Sequence, residues 1–172
     1  MTFLPLSIAV LTVSDTRTPD TDKSGNYLAQ AIEAAGHRCA EGVIVPDDIY
    51  QIRSQVSAWI AAAHIDVIIT TGGTGFTGRD TTPDALTPLF DHAIPGFGEQ
   101  FRALSYQEIG SSTIQSRCIA GFANRTVIFA LPGSTGACRT GWEGLIQEQL
   151  DSRHQPCNFA NLVKRGDGQH GH

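Results

Sequence analysis

The sequence predicts an α/β fold: a three-layer sandwich with a mostly parallel, mixed central sheet and helices on both faces. Three observations carry that reading. Short runs of apolar, often β-branched residues look like strands buried on both faces. They alternate with stretches whose apolar residues recur at helical spacing. Two strand-like runs, Ile119–Ala123 and Thr126–Leu131, are separated only by Asn124-Arg125, which predicts a hairpin and so one antiparallel pairing. The length of 172 residues suits one domain. Residues 1–155 read as the α/β domain and residues 156–172 as a C-terminal tail.

The elements follow in order. Ser7–Val13 is the first strand, and residues 14–22 form a polar loop. Leu28, Ala31, Ile32 and Ala35 make a helical stripe, which Gly36 ends in the C′ position. A second strand runs near residues 39–45. Pro46-Asp47-Asp48 opens a second helix with a stripe of Ile49, Ile52, Val56, Trp59, Ile60 and Ala63. The third strand covers residues 66–71, and Gly72-Gly73-Thr74-Gly75 follows it. Thr82 as N-cap with Pro83 at the first helical position starts a third helix through Ala85, Leu86, Leu89 and Phe90. Pro95-Gly96 breaks the chain before a fourth helix carrying Phe97, Phe101 and Leu104, stopped by Gly110. Ser112-Thr113-Ile114-Gln115 has the shape of a capping box and predicts a short helical turn. After the hairpin, Gly133-Ser134-Thr135-Gly136 leads into a last helix with Cys138, Trp142, Leu145, Ile146 and Gln149 on one side. From Asp151 on the periodicity fades. The Gly-rich polar end, residues 165–172, is expected to be disordered.

Composition excludes several classes. The net charge is −5, and no polybasic stripe appears, which argues against nucleic-acid binding. The longest apolar runs, residues 8–11 and 67–69, fall far short of the ~20 residues of a membrane span. No basic residue precedes Arg17, so the start does not read as a signal peptide. Cys39, Cys118, Cys138 and Cys157 form no C-x-x-C pair. They read as free thiols in a reducing cytoplasm. The histidines show no paired metal spacing, and His37 and His64, near helix ends, read as partners of the helix dipole.

The 18 glycines are a mild surplus, and their placement matters. In an open α/β sheet ligands bind beyond the carboxyl ends of the strands. Three strand ends here are polar: Ser14-Asp15-Thr16, Gly72-Gly73-Thr74-Gly75 and Gly133-Ser134-Thr135-Gly136. The two glycine runs, each read as feeding a helix, are candidate phosphate cradles built from backbone N–H groups and hydroxyls. A Walker A loop is absent, and so is G-x-S-x-G. Gly73, Gly75 and Gly78 spell G-x-G-x-x-G, but after the third strand and with Asp91 at a helix end, so the dinucleotide reading fails. Asp47, Asp48 and Asp80 lie near the cradles. Carboxylates there would repel phosphate unless a cation such as Mg²⁺ sat between them. Asp47 reads equally as a helix N-cap; Thr82 is better placed than Asp80 to cap, which favours a functional Asp80.

At this point the residues match a known family. Thr71-Gly72-Gly73-Thr74-Gly75, followed by Arg79-Asp80 and Thr82-Pro83-Asp84-Ala85, resembles the signature of the MoaB/MogA proteins of molybdenum cofactor biosynthesis. Residues 11–16, Asp22-Lys23-Ser24-Gly25, Pro95-Gly96-Phe97-Gly98-Glu99, Ser116-Arg117 and Leu131-Pro132-Gly133 fit as well, so the resemblance covers nearly the whole chain. Pro132-Gly133-Ser134-Thr135 and Pro156-Cys157-Asn158-Phe159 look closest to the MoaB branch. The resemblance implies adenylylation of molybdopterin by ATP with Mg²⁺, giving adenylyl-molybdopterin and pyrophosphate. It implies Asp47 and Asp80 as catalytic and metal-holding residues. With the residue reading, it makes Ser14, Asp15, Thr16, Gly72, Gly73, Thr74, Gly75, Arg79, Gly133, Ser134 and Thr135 the substrate-binding set. It further implies a cytoplasmic homotrimer or homohexamer (a dimer of trimers), with other proteins of the pathway as partners. A competing reading is a non-catalytic molybdopterin-binding or assembly protein.

Overall fold

In a strand successive side chains point to opposite faces, and that alternation sets the layers here. The structure, a computed structural model, describes residues 1–164; the expectation of disorder at residues 165–172 falls outside them. Its strands are β1 (Ser7–Val13), β2 (Arg38–Val45), β3 (Val67–Thr71), β4 (His92–Ala93), β5 (Ile119–Ala123) and β6 (Thr126–Leu131). Its helices are α1 (Lys23–Ala34), α2 (Ile49–Ala61), α3 (Thr82–Leu86), α4 (Pro95–Ile109), α5 (Thr135–Gly141) and α6 (Gln147–Gln149), with a π-helical turn, Trp142–Ile146, joining the last two.

Ile8, Val10, Val67, Ile69, Val127 and Phe129 face one side of the sheet, where Leu28 and Ile32 of α1, Phe97 and Phe101 of α4, and Cys138, Trp142 and Ile146 cover them. Ala9, Leu11, Ile68, Ile128 and Ala130 face the other side, under Ile52, Val56 and Trp59 of α2 and Ala85 and Leu86 of α3. The strand order is β2-β1-β3-β6-β5-β4. β2, β1, β3 and β6 pair in parallel, whereas β5 runs antiparallel to β6 and β4 antiparallel to β5. The three-layer, mixed-sheet reading therefore holds.

The hairpin turn is built as its sequence requires. Asn124 and Arg125 take φ of 49° and 59°, the positive pair that the right-handed twist of a two-residue loop demands. The Asn124 amide donates to the Asp91 carboxylate at 2.8 Å, and Arg125 donates to the Val163 carbonyl at 3.2 Å. The edge strand β4 was not expected. It is two exposed residues long, too short to show an alternating pattern. The turn expected from Ser112 is a 3₁₀ stretch over Gly110–Gln115, with no side-chain cap bond.

Residues 156–164 run back over the sheet. Phe159 packs its ring against Phe122 and Phe129, with centroids 5.5 Å and 6.2 Å away, and Ala160 and Val163 are buried. The Lys164 ammonium donates to the Ile60 carbonyl at 2.7 Å. His37 departs from the dipole reading: it is buried, and its Nδ1 accepts the Leu6 amide at 3.1 Å. Burial pushes its pKa below the ordinary value, as a neutral acceptor requires. All four cysteines are free thiols. Among the described residues no helix is long and apolar enough to cross a membrane.

Candidate functional site

The parallel register brings the polar strand ends to one edge. Val13 lies opposite Val45, Thr12 opposite Thr71, and Thr71 opposite Leu131. The chain therefore leaves β1, β2, β3 and β6 at one level. β1 sits between β2 and β3, so the segments after these three strands are neighbours.

Asp15 ties those three segments together. Its carboxylate accepts two bonds from the Arg79 guanidinium, at 3.0 Å and 2.7 Å, and one from the Asp47 amide at 3.0 Å. The Arg79 bonds hold the Asp15 carboxyl below its ordinary pKa. Arg79 is thus paired in this structure, with two-thirds of its side chain exposed. Ser14 serves its own loop, its hydroxyl accepting the amides of Thr16 at 3.2 Å and Arg17 at 3.0 Å.

Asp47 and Asp48 divide two roles that the sequence left joined. Asp48 is the N-cap of α2, accepting the Tyr50 and Gln51 amides at 2.9 Å. Asp47 is not the cap. It is buried, and its Oδ1 accepts the Thr81 amide at 3.2 Å and hydroxyl at 2.7 Å. Its Oδ2 faces the glycine loop, where a Cβ built on Gly73 would lie 3.2 Å away.

The glycine loop is tightly fitted. Gly72 and Gly73 take φ of 100° and 72°, which side chains rarely adopt. A Cβ on Gly72 would overlap the Val13 carbonyl, and one on Gly73 the Thr82 hydroxyl. Thr82 is not the helix cap the sequence suggested. Its hydroxyl donates to the Gly72 carbonyl at 2.9 Å, and Thr81 takes the cap position with no side-chain cap bond. Nor does the run feed a helix directly, because residues 76–81 intervene before α3. The loop therefore faces the Asp47 and Asp80 carboxylates and is not the N-terminus of a helix.

Asp80 belongs to that intervening loop. Its Oδ2 accepts the Thr77 hydroxyl at 2.7 Å and the Thr77 amide at 3.0 Å, and lies 2.7 Å from where a Gly75 Cβ would be. The Thr77 hydroxyl, more than any other neighbour, holds the Asp80 carboxyl below its ordinary pKa. Asp47 and Asp80 thus border one stretch of backbone, at Gly73 and Gly75.

The second cradle differs. Ser134 caps α5 by accepting the Ala137 amide at 3.2 Å. The Gly133 carbonyl accepts the Ser24 hydroxyl at 2.6 Å and an Arg17 N–H at 3.4 Å, and Ser24 lies 3.4 Å from the Thr135 hydroxyl. Gly136 stands in open space, so nothing there demands a glycine. Ser24, Arg17 and Arg117, which holds the Asp80 loop, were not among the sequence-based site residues. Ser24 and Arg117 did lie in quoted motif fragments, but only the fold shows what they touch.

Among the described residues no group of three or more His, Cys, Asp or Glu could hold an ion. Two carboxylates suit Mg²⁺ that arrives with substrate phosphates and keeps waters, not a resident all-protein cage.

Residues 9–152 match the family model described as "Probable molybdopterin binding domain". The chain is 54% identical over 163 residues to molybdenum cofactor biosynthesis protein B of Escherichia coli (strain K12), covering 95% of this chain and 96% of that protein. Among solved structures, it resembles a molybdenum cofactor biosynthesis protein B at 44% identity and a TM-score of 0.83, over 86% of this chain and 92% of that one. It also resembles the tungsten cofactor synthesizing protein MoaB from Pyrococcus furiosus at 37% identity and a TM-score of 0.75, over 84% of this chain and 92% of that one.

Proposed function

This chain belongs to the molybdopterin-binding domain family of molybdenum cofactor biosynthesis, and from that premise we propose that it adenylylates molybdopterin with ATP. An oxygen of the molybdopterin phosphate attacks the α-phosphorus of ATP. The bond from that phosphorus to the bridging oxygen breaks, and pyrophosphate leaves with its electron pair. The nucleophile is already an anion, so no general base is needed. The barrier is the approach of two anions and the charge on the departing pyrophosphate.

One observation carries this reading: Asp47 and Asp80 border the same glycine backbone, one at Gly73 and the other at Gly75. Carboxylates at a phosphate cradle make sense when a cation is shared between them. Asp80 and Asp47 would hold Mg²⁺, which supplies neutralisation of the ATP phosphates and polarisation of the reacting phosphorus. Asp80 is ionised at neutral pH, as an ordinary carboxylate is, and the Thr77 hydroxyl favours that charged form further. The loop glycines let the backbone approach the phosphates, and Thr81 fixes Asp47 so that its Oδ2 points to the loop. Ser134, Thr135 and Ser24 offer hydroxyls at the second cradle. The reading takes ATP as co-substrate and the cytoplasm as the place of work. It takes a homotrimer or homohexamer as the assembly, with other pathway proteins as partners.

A second reading, a non-catalytic molybdopterin-binding or assembly protein, is favoured by the pairing of Arg79 with Asp15, which leaves that cation already neutralised. Pyrophosphate release with molybdopterin, ATP and Mg²⁺ separates the two. Turnover that needs all three supports the enzyme. Tight molybdopterin binding with no pyrophosphate rejects it in favour of the binder.

A further inference from the structure

The Asp80 loop has no regular hydrogen-bond ladder of its own. Residues 74–80 include Gly75 and Gly78 and leave the sheet between β3 and α3. One side chain from the approach to β5 reaches both of its ends. Arg117 Nε donates to the Gly75 carbonyl at 2.8 Å, and Arg117 Nη2 donates to the Asp80 carbonyl at 2.6 Å. The Arg117 amide donates to the Thr74 carbonyl at 2.9 Å. Nη1 completes the fork on the Asp84 carboxylate at 3.2–3.3 Å. The Phe76 ring lies over the guanidinium, 5.3 Å from its carbon to the ring centroid. Only a quarter of the Arg117 side chain is exposed.

From these contacts we infer that Arg117 is a positioning residue, cinching the loop so that the Asp80 carboxylate is presented at the glycine backbone. The fork grips the Asp80 carbonyl and not its carboxylate, so the carboxylate stays available to a ligand. Its own orientation comes from Thr77, inside the cinched segment. A planar guanidinium can hold two separated carbonyls and a carboxylate at once. A lysine ammonium is a point donor and holds fewer of them.

The test is amide hydrogen exchange on the full chain, comparing wild type with Arg117→Lys and Arg117→Ala. The reporters are the Thr77 amide, bonded to the Asp80 carboxylate, and the Asp80 amide, bonded to the Thr77 carbonyl at 3.0 Å. Losing charge-assisted bonds at both loop ends should speed their exchange about 10-fold or more in Arg117→Ala, with Arg117→Lys in between. Amides of β3 and β6 should not change. Unchanged exchange at Thr77 and Asp80 in a folded Arg117→Ala chain overturns the inference. So does equal loss of protection through β3 and β6 in both variants, which would make Arg117 a general support of the fold.

A second arm rests on the adenylylation reading. Arg117→Ala should lower kcat more than it raises KM for ATP, yet add little to the loss already caused by Asp80→Asn. Full additivity with Asp80→Asn rejects action through Asp80. If wild type releases no pyrophosphate, the adenylylation reading fails, and the exchange result still decides the role of Arg117.

Discussion

The loop after β3 and the loop after β6 share a composition of glycine and threonine, yet they are built to different tolerances. In the first, a methyl group at Gly72 would overlap the Val13 carbonyl, and φ there is 100°. In the second, a methyl at Gly133 would come no closer than 3.5 Å to any neighbour, an ordinary contact. Their company differs too. The first is bordered by Asp47 and Asp80, and the second by the hydroxyls of Ser24, Ser134 and Thr135. Two runs that look like copies of one phosphate cradle are therefore different devices. One is acidic and braced, the kind of loop that the proposed reaction would need for phosphates arriving with a cation. The other is held mainly by hydroxyls, with an Arg17 N–H on the Gly133 carbonyl, and no carboxylate borders its glycines directly.

The largest effect should come from the acidic device. Asp80→Ala is expected to lower pyrophosphate release by at least about 100-fold, the scale for removing a group that organises charge at the reacting phosphorus. The fold should survive, because the hydrogen bonds of the Asp80 carboxylate stay within its own loop, to Thr77 and the Gly75 backbone. Circular dichroism and the melting transition check that, and near-wild-type turnover in a folded variant would refute the role.

Stability separates the loops next. Gly72→Ala forces a positive-φ alanine into a backbone oxygen and should cost about 2–3 kcal/mol in urea unfolding. Gly133→Ala should stay within about 0.5 kcal/mol. Equal costs would erase the distinction between a braced loop and an open one.

How much of this was legible in the chain itself follows from the range of the forces. The strands showed in the sequence because burial on two faces writes apolar residues along a whole run, as in Val67–Thr71. The glycine run after β3 also showed, since positive φ restricts which residues can stand there. Position within a run of polar residues did not. Asp47 and Asp48 are chemically identical, and only the path of the chain decides that Asp48 caps α2 while Asp47 turns to Thr81. Thr82 before Pro83 looked like a cap, but its hydroxyl found the Gly72 carbonyl, a partner ten residues back. Arg117 was less visible still. Its bond to the Gly75 carbonyl spans 42 residues, and no local pattern marks such a contact.

A smaller effect tests the second loop. Ser24→Ala removes the 2.6 Å donor to the Gly133 carbonyl, leaving an Arg17 N–H at 3.4 Å. The cost should be about 1 kcal/mol, the usual net worth of such a bond, read as a shift in the urea midpoint. A cost as large as that of Gly72→Ala would show the second loop to be as tightly braced as the first.

The smallest effect is on acidity, and it should appear in one loop only. The pKa values of Asp15 and Asp80 both lie below the ordinary 3.8, the first chiefly through the Arg79 bonds and the second chiefly through the Thr77 hydroxyl. A carboxyl depressed on folding stabilises the structure above its unfolded pKa, and that contribution is lost as pH falls through the folded value. Between neutral pH and about pH 5 neither contact should weaken. Below the ordinary carboxylate range, protonation should release Arg79 and Thr77 while the Ser134 cap on Ala137, which involves no titrating group, persists. Amide chemical shifts of the metal-free chain can follow both loops in one titration. Movement of Thr77 and Arg79 with a fixed Ala137 supports the contrast. Concerted movement of all three would mean that acid opens the whole edge, and that the two loops share one stability.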